Sequence, residues 1–381
     1  MLNKVKEEFI RLFGEQSQVR YFFSPGRVNI IGEHIDYNGG YVLPCAIHLG
    51  TYFAICKNQT TKVRAYSIQF ESQGMIEFDL KDHKKNKKWT DYIKGIIQIF
   101  HINFGFDVVI GGNIPHSSGL SSSASFCTGL SFALESLQNN SISRVDLALM
   151  CKRVENEFMG VNCGIMDQFI ICNGKKDYTI LLDCDHLDFQ YIPFNLKEYG
   201  LVIANTNKSR QLTDSKYNER KQECEEILQI LFENGYSLNH LCDIKKDIEK
   251  YLALLPQENL KKRFKHVITE NLRTIQAAQC LKEGNIEKLG ELLTASHLSL
   301  ENDYEVTGKE LDTLVHSFLN QKGCIGARMT GAGFGGCAIA LIEKANIELA
   351  KEKVKEVYTQ TIGYEPSFYE VTIGDGVKEV K

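Results

Sequence analysis

None of the twelve cysteines in this 381-residue sequence stands in Cys-x-x-Cys spacing, so zinc-ribbon and dithiol redox motifs have no support. The thiols occur singly, mostly inside apolar runs such as Val42-Leu43-Pro44-Cys45-Ala46, the pattern of reduced, buried cysteines in a cytoplasmic protein. No charge of one sign predominates. With 44 Lys and Arg against 48 Asp and Glu, the net charge of -4 gives no global reason to expect nucleic acid or a membrane surface as a partner. The opening Met1-Leu2-Asn3-Lys4-Val5-Lys6-Glu7-Glu8-Phe9-Ile10 has the spacing of an amphipathic helix and is too charged for a signal segment or a membrane span. There is no internal repeat and no low-complexity tract. What remains is a globular composition, 43% hydrophobic and 24% charged, in which any phosphate recognition must be local.

The length exceeds one ordinary core, so two domains are expected, 1–195 and 196–381, although no Gly-, Pro- or Ser-rich linker marks the boundary. In the first half, Tyr21-Phe22-Phe23 reads as a strand ended by a turn at Ser24-Pro25-Gly26. Further strands are expected at Tyr41-Val42-Leu43, Thr51 to Cys56, Lys62 to Ser67, Gly74 to Leu80, Phe106 to Ile110, Tyr178 to Asp183 and Leu187 to Pro193. The charge run from Asp82 to Lys88 reads as a solvated loop. Helices are expected from Ala124 to Leu137 and, capped by Ser143 with Asp146 three residues on, through Phe158 to a stop at Gly160. The second half opens with a buried strand from Tyr199 to Thr206. Helices follow over Ser215 to Glu233, Ile244 to Leu254, Lys262 to Glu283 and Ile286 to Leu300, and the chain ends as strand, helix (Asn346 to Tyr358) and strand (Phe368 to Thr372).

Chemistry concentrates in a few blocks. Between Ser24 and Gly40, seventeen residues hold an Arg, a Glu, a His, an Asp, two Asn and four Gly, more hydrogen-bonding capacity than a fold alone requires. A polar ligand is expected there. Carboxylates such as Glu33 and Asp36 accept from hydroxyls and His34 can donate or accept, which suits a polyhydroxylated molecule, and Glu33-His34-x-Asp36 lacks the spacing of a common zinc motif. After the strand at Phe106 comes Gly111-Gly112-Asn113-Ile114-Pro115-His116-Ser117-Ser118-Gly119-Leu120-Ser121-Ser122-Ser123-Ala124, then a helix. Five serines and a glycine after Pro115 exceed what one N-cap uses, while unpaired N–H groups at a helix start favour a phosphate. The loop is not a Walker A motif. Gly331, Gly333 and Gly336 formally satisfy Gly-x-Gly-x-x-Gly, but Cys337 to Ile342 reads as a strand, not the helix a dinucleotide site needs. Glu155 flanks its helix's apolar stripe, where a surface role is the plain reading, and Asp167 in Met166-Asp167-Gln168 is either a helix cap or a working carboxylate.

The run Gly26-Arg27-Val28-Asn29-Ile30-Ile31-Gly32-Glu33-His34-Ile35-Asp36-Tyr37-Asn38 resembles the signature of galactokinases, which belong with homoserine, mevalonate and phosphomevalonate kinases. Two later blocks, Pro115 to Ala124 and Gly326 to Ile342, match that family in order, so the resemblance spans about Arg20 to Thr372. It implies a two-domain α+β fold with the active site between the domains, and ATP-dependent transfer of phosphate to C1 of galactose. By the same resemblance Asp167 is the catalytic base with Arg27 beside it, and Glu33, His34, Asp36, Gly164 and Tyr217 face the sugar. Ser67, Ser117, Ser118, Gly119, Leu120, Ser121, Ser122 and Ser123 contact the nucleotide, and Ser123 with Glu155 holds Mg²⁺. Ser117 departs from the glycine usual at its position and restricts the backbone there. His297, in another family-like block, reads as structural. The expected partners are galactose and ATP alone, bound by a monomer without nucleic acid or membrane. A kinase for N-acetylgalactosamine or galacturonate, or a non-catalytic galactose and ATP sensor, are the other readings.

Overall fold

The computed structural model of the protein describes residues 1–115, 118–208 and 213–381. Helix α1 (Leu2–Phe13) leads into strand β1 (Arg20–Asn29), followed by β2 (Tyr41–Val42), β3 (Pro44–Lys57), β4 (Lys62–Ser67) and β5 (Ile76–Asp79). Then come α2 (Asp91–Ile99), β6 (Phe106–Gly112), α3 (Ser122–Gln138), α4 (Arg144–Arg153) and α5 (Met166–Asn173), and the pair β7 (Tyr178–Asp183) and β8 (Phe189–Pro193). The second half holds β9 (Tyr199–Asn205), α6 (Thr213–Glu233), α7 (Ile248–Leu252), α8 (Glu258–Glu283), α9 (Ile286–Ser299) and α10 (Lys309–Leu319). It closes with β10 (Cys324–Thr330), β11 (Cys337–Glu343), α11 (Ile347–Ile362), β12 (Ser367–Glu370) and β13 (Lys378–Val380).

Three sheets result: β13-β1-β3-β6-β4-β5, β2-β7-β8 and β10-β11-β9-β12. In the first, β6 is buried along nearly its whole length. Val109 meets Val5 and Phe9 of α1 on one face, while Val108 and Ile110 join the core under α2, α3 and α4 on the other. Burial on both faces is why its apolar residues run on instead of alternating. The third sheet repeats the pattern. Ile339 and Leu341 of β11 pack with α8 and α9, and Ala338, Ala340 and Ile342 pack with α10 and α11.

Several expectations change. Ser24-Pro25-Gly26 is not a turn: β1 continues through it against β3 with a register shift between Pro25 and Arg27. Proline is tolerated in a sheet at such an irregularity, where the ladder is already interrupted. The expected helix from Ile244 to Leu254 shrinks to the five residues of α7 after a short 3₁₀ turn at Leu241–Asp243, because Asp247 at its start takes left-handed backbone (φ 58°). Helices α2, α5 and α10 and strand β13 had no prior reading. Strand β13 pairs with β1 through Tyr21, Phe22 and Phe23, so the last residues of the chain return to the first sheet. Both long helical stripes end in π turns, Val154–Met159 after α4 and Leu300–Tyr304 after α9. Such turns frequently mark functional sites. No helix among the described residues is long and apolar enough to cross a membrane.

Candidate active site

The register shift in β1 brings the strand against the Ser-rich loop. A Cβ on Gly26 would lie 2.8 Å from the Leu120 carbonyl oxygen, so only glycine permits this approach. Arg27 N–H then donates to Leu120 O at 3.2 Å, and the Arg27 side chain enters a cleft of about 1090 Å³. Its guanidinium forks onto Asp167, Nε to Oδ1 at 2.8 Å and Nη2 to Oδ2 at 3.0 Å, while Nη1 donates to Gly119 O. Asp167 lies in the first turn of α5, where the helix dipole favours a carboxylate. Ser121, the N-cap of α3 in left-handed backbone (φ 60°), donates its hydroxyl to Asp167 Oδ2. Three donors therefore fix one carboxylate that still faces the cleft.

Glu33, His34, Asp36, Gly164 and Tyr217 all line the same cleft. Glu33 is buried, and its Oε1 accepts from Gly331 N (2.8 Å), Thr330 Oγ1 (3.2 Å) and Arg328 Nη1 (3.3 Å). Its Oε2 has no partner among the described residues. Behind it, Glu270 Oε1 accepts from Gly32 N at 3.0 Å, and His266 Nε2 contacts Glu33 O at 3.1 Å. Glu270 is fully buried yet held down near 2, because Arg273, His266 and Arg328 outweigh the burial that pushes it up. His34 sits in left-handed backbone (φ 61°) with both ring nitrogens engaged by protein, Nδ1 with Tyr37 and Nε2 with Ala332 O. The ring is thus held by protein at both nitrogens in the wall of the cleft. Burial pushes its pKa down to about 3. Asp36 moves the other way, up to about 6, through burial and then the nearby charges of Asp167 and Glu33. A Cβ on Gly164 would fall 1.8 Å from Asp36 Oδ2, so this glycine is what allows the two segments to meet.

At the other end, Ser122 and Ser123 begin α3 and are exposed to the cleft. Gly119 lines it in left-handed backbone (φ 74°), and Ser118 turns its hydroxyl to Pro115 O at 2.8 Å. The Leu120 side chain is fully buried in the core, while its carbonyl accepts from Arg27 N. Ser117 lies outside the described residues. Glu155, in the π turn after α4, is buried, and its Oε1 has no hydrogen-bond partner among the described residues. Burial, then the Asp167 charge, pushes its carboxyl up to about 7. Ser67 lines an adjoining pocket of about 850 Å³ that meets the cleft at Ser122 and Ser123. Phe70, Trp89, Tyr92 and Phe126 wall this pocket, and the buried Trp89 indole N–H has no partner among the described residues.

Comparisons with known proteins decide the family. The galactokinase galactose-binding signature matches residues 7–57, the GHMP kinases N terminal domain 91–175 and the GHMP kinases C terminal domain 277–360. A galactokinase of Clostridium perfringens is 48% identical over 387 residues, covering 100% of both chains. The chain belongs to the galactokinase family. A family member from Ligilactobacillus salivarius is 49% identical over 98% of each chain. The structure of Lactococcus lactis galactokinase complexed with galactose matches with a TM-score of 0.97 and 44% identity over 100% of each chain. Methanococcus jannaschii mevalonate kinase, at 22% identity and a TM-score of 0.65, shares the fold. The galactokinase fold here also uses residues that sequence reading did not single out: Arg328, Glu270 and His266 behind Glu33, and the aromatic pocket at Trp89. Arg328 lies in strand β10 and Glu270 and His266 in the charge-rich helix α8, so no local pattern marks them, and nothing in local spacing joins Phe70, Trp89 and Phe126. His297 caps the edge strand β10, its Nδ1 accepting from Met329 N at 3.3 Å. That bond leaves the ring proton on Nε2, so the nearby Glu301 and His316 gain no metal-binding nitrogen from it.

Proposed function

We propose that this chain transfers the γ-phosphate of ATP to the C1 hydroxyl of α-D-galactose, giving galactose 1-phosphate and ADP. The observation that carries the reading is the Asp167 carboxylate, held by the Arg27 fork and the Ser121 hydroxyl between a carboxylate-lined polar cleft and the N-terminus of α3. The free Oε2 of Glu33, Asp36, Gly164 and Tyr217 bind and orient the sugar, and His34 shapes that wall. Asp167 takes the C1 hydroxyl proton as the oxygen attacks phosphorus. Arg27, already fixed by Asp167 and Gly119, offsets charge on the transferring group without having to reorganise. The exposed N-terminus of α3 with Gly119, Ser121, Ser122 and Ser123 receives the phosphates.

The adjoining pocket suits the base: Phe70, Trp89 and Tyr92 offer stacking surfaces, with Ser67 as a polar contact. The residues present fit a magnesium ion, since the buried, unpartnered Glu155 Oε1 and the cleft-facing Ser123 hydroxyl are hard oxygen donors beside the phosphate site. When bound, the ion supplies positive charge that neutralises the phosphate oxygens. All these residues come from one chain, which suits a monomer, and the need for ATP suits a cytoplasmic location. An ADP-release assay with Mg-ATP across galactose, N-acetylgalactosamine, galacturonate, glucose, mevalonate and homoserine, with the product position read by NMR, tests the reading. Turnover selective for galactose with phosphate on C1 is expected. Binding of galactose and ATP without turnover would overturn it in favour of a sensor.

A further inference from the structure

The ring of His34 is one end of a buried hydrogen-bonded chain whose direction follows from chemistry alone. Its Nε2 faces the carbonyl oxygen of Ala332 at 3.2 Å, an acceptor only, so Nε2 carries a proton, and because burial keeps the ring neutral Nδ1 must accept. The Tyr37 hydroxyl, 2.9 Å from Nδ1, therefore donates to it. Having spent its one proton, the Tyr37 oxygen accepts from the Tyr304 hydroxyl at 2.9 Å. Tyr304 in turn accepts from the Cys224 thiol at 3.3 Å, and burial, which raises that thiol to about 11, keeps it protonated. Asn38 closes the far end, its Nδ2 donating to Cys224 Sγ (3.6 Å) and to the backbone oxygen of His34 itself (2.9 Å). With the ring neutral, no member could reverse its proton without facing an acceptor with an acceptor. Tyr304, Cys224, Asn38 and His34 are all buried, and Tyr37 is half-buried.

We propose that this one-directional chain, Asn38 to Cys224 to Tyr304 to Tyr37 to His34 to Ala332, locks His34 as the neutral Nε2–H tautomer and holds the sugar-facing wall, making Tyr37 and Tyr304 positioning residues for galactose. The proposal deepens the galactokinase reading above and rests on it for the identity of the sugar. Three distant parts of the sequence are tied into one wall: the 3₁₀ turn Asp36–Asn38 with His34 before it, α6 through Cys224, and the π turn that carries Tyr304 together with the glycine-rich turn that carries Ala332. The Tyr217 ring, 5.5 Å from both the His34 and Tyr37 rings, packs on this unit and inherits its position. Holding His34 neutral also keeps a further positive charge away from Arg220 and Arg328.

Two measurements test this. In ¹⁵N-histidine-labelled wild-type protein, with His34 assigned by the loss of its signals in His34→Gln, long-range ¹H–¹⁵N spectra should show a protonated Nε2 and a bare Nδ1 at pH 6 to 8 without sugar. Steady-state kinetics of Tyr37→Phe and Tyr304→Phe, which remove one oxygen each and keep the rings, should raise the galactose KM about fivefold, with the ATP KM and kcat within about twofold. An imidazolium or an Nδ1–H tautomer sinks the chain, even with normal galactose turnover. A lowered melting temperature with an unchanged galactose KM in both variants reduces the chain to ordinary core structure and also overturns the proposal. A wild-type protein that ignores galactose yet shows the expected tautomer sinks the sugar assignment and upholds the chain, so the two failures are told apart.

Discussion

Glu33 and Asp167 at the sugar end and Glu155 at the phosphate end are held in opposite ways. At the sugar end, Glu33 Oε1 accepts from three donors and Asp167 from Arg27 and Ser121, so both are fixed before any ligand arrives. At the phosphate end, Glu155 is buried with an oxygen that accepts nothing among the described residues, and it rises to about 7. A buried carboxylate with donors is a finished template, whereas one without them is costly as an anion until a cation shares the site. The sugar end is thus built by the protein alone, and the phosphate end is completed by what binds there.

The largest effect that tests this contrast is at Asp167, where both ends meet. Asp167→Asn keeps the shape but cannot take a proton, and kcat should fall by ~10²–10⁴-fold in a protein that still folds. Near-normal kcat would mean that the template is not the base. Next is Gly164→Ala, whose added Cβ lies 1.8 Å from Asp36 Oδ2 and must displace the Asp36 carboxylate. The galactose KM should rise on the order of 10- to 100-fold, as misplacement by about an ångström does, while the ATP KM holds. If both constants move together, the two ends are not independent.

Glu155 gives the test at the other end. Its folded pKa of about 7 lies above the ordinary 4.5, so the folded state holds a proton that the unfolded state releases between those values. The Glu155 contribution to stability should therefore be greatest at low pH and fall as pH rises through that window, by at most about 1.4 kcal/mol per pH unit, then level off. Asp36, raised to about 6, adds a slope of the same sign, so the difference between wild type and Glu155→Gln isolates Glu155. Melts from pH 5 to 8 should show a shallower fall in the variant. Magnesium should restore wild-type stability more at pH 8 than at pH 6, because the ion binds the charged form, and should do little for the variant. Equal magnesium stabilisation of both proteins would break the comparison.

What the sequence made legible follows the same division. Blocks such as Gly26 to Asn38 and Pro115 to Ala124 keep their chemistry in consecutive residues, whereas Arg27, Asp167, Ser123 and Glu155 were joined only by the family resemblance, and these four residues line one cleft. Residues that act from behind were silent. Arg328 and Glu270 reach Glu33 across 295 and 237 positions of chain, with no local period to announce them. Strand β13 is three residues long, too short for alternation to register, and α2, at nine residues, is shorter than the window over which a helical period can be read. The reading of Ser24-Pro25-Gly26 as a turn failed because proline and glycine signal both turns and strand irregularities, and only the partner strand distinguishes them.

The smallest expected effect lies in the adjoining pocket, where Ser67 was legible and the aromatic walls were not. A hydroxyl that makes one neutral hydrogen bond contributes about 1 kcal/mol net, so Ser67→Ala should raise the ATP KM by less than about fivefold. Stacking of a base on an aromatic ring is worth ~1–3 kcal/mol, so Trp89→Leu should raise it by about tenfold. The Trp89 ring lies nearly parallel to Phe70, 7° apart at 6.2 Å between centroids, and losing one wall leaves the other without its counterpart. Neither change touches the carboxylates at the sugar end, so the galactose KM should stay within about twofold in both variants. A larger shift in Ser67→Ala than in Trp89→Leu would mean that polar contact outweighs stacking in this pocket, and the nucleotide end would then be as pre-built with hydrogen bonds as the sugar end.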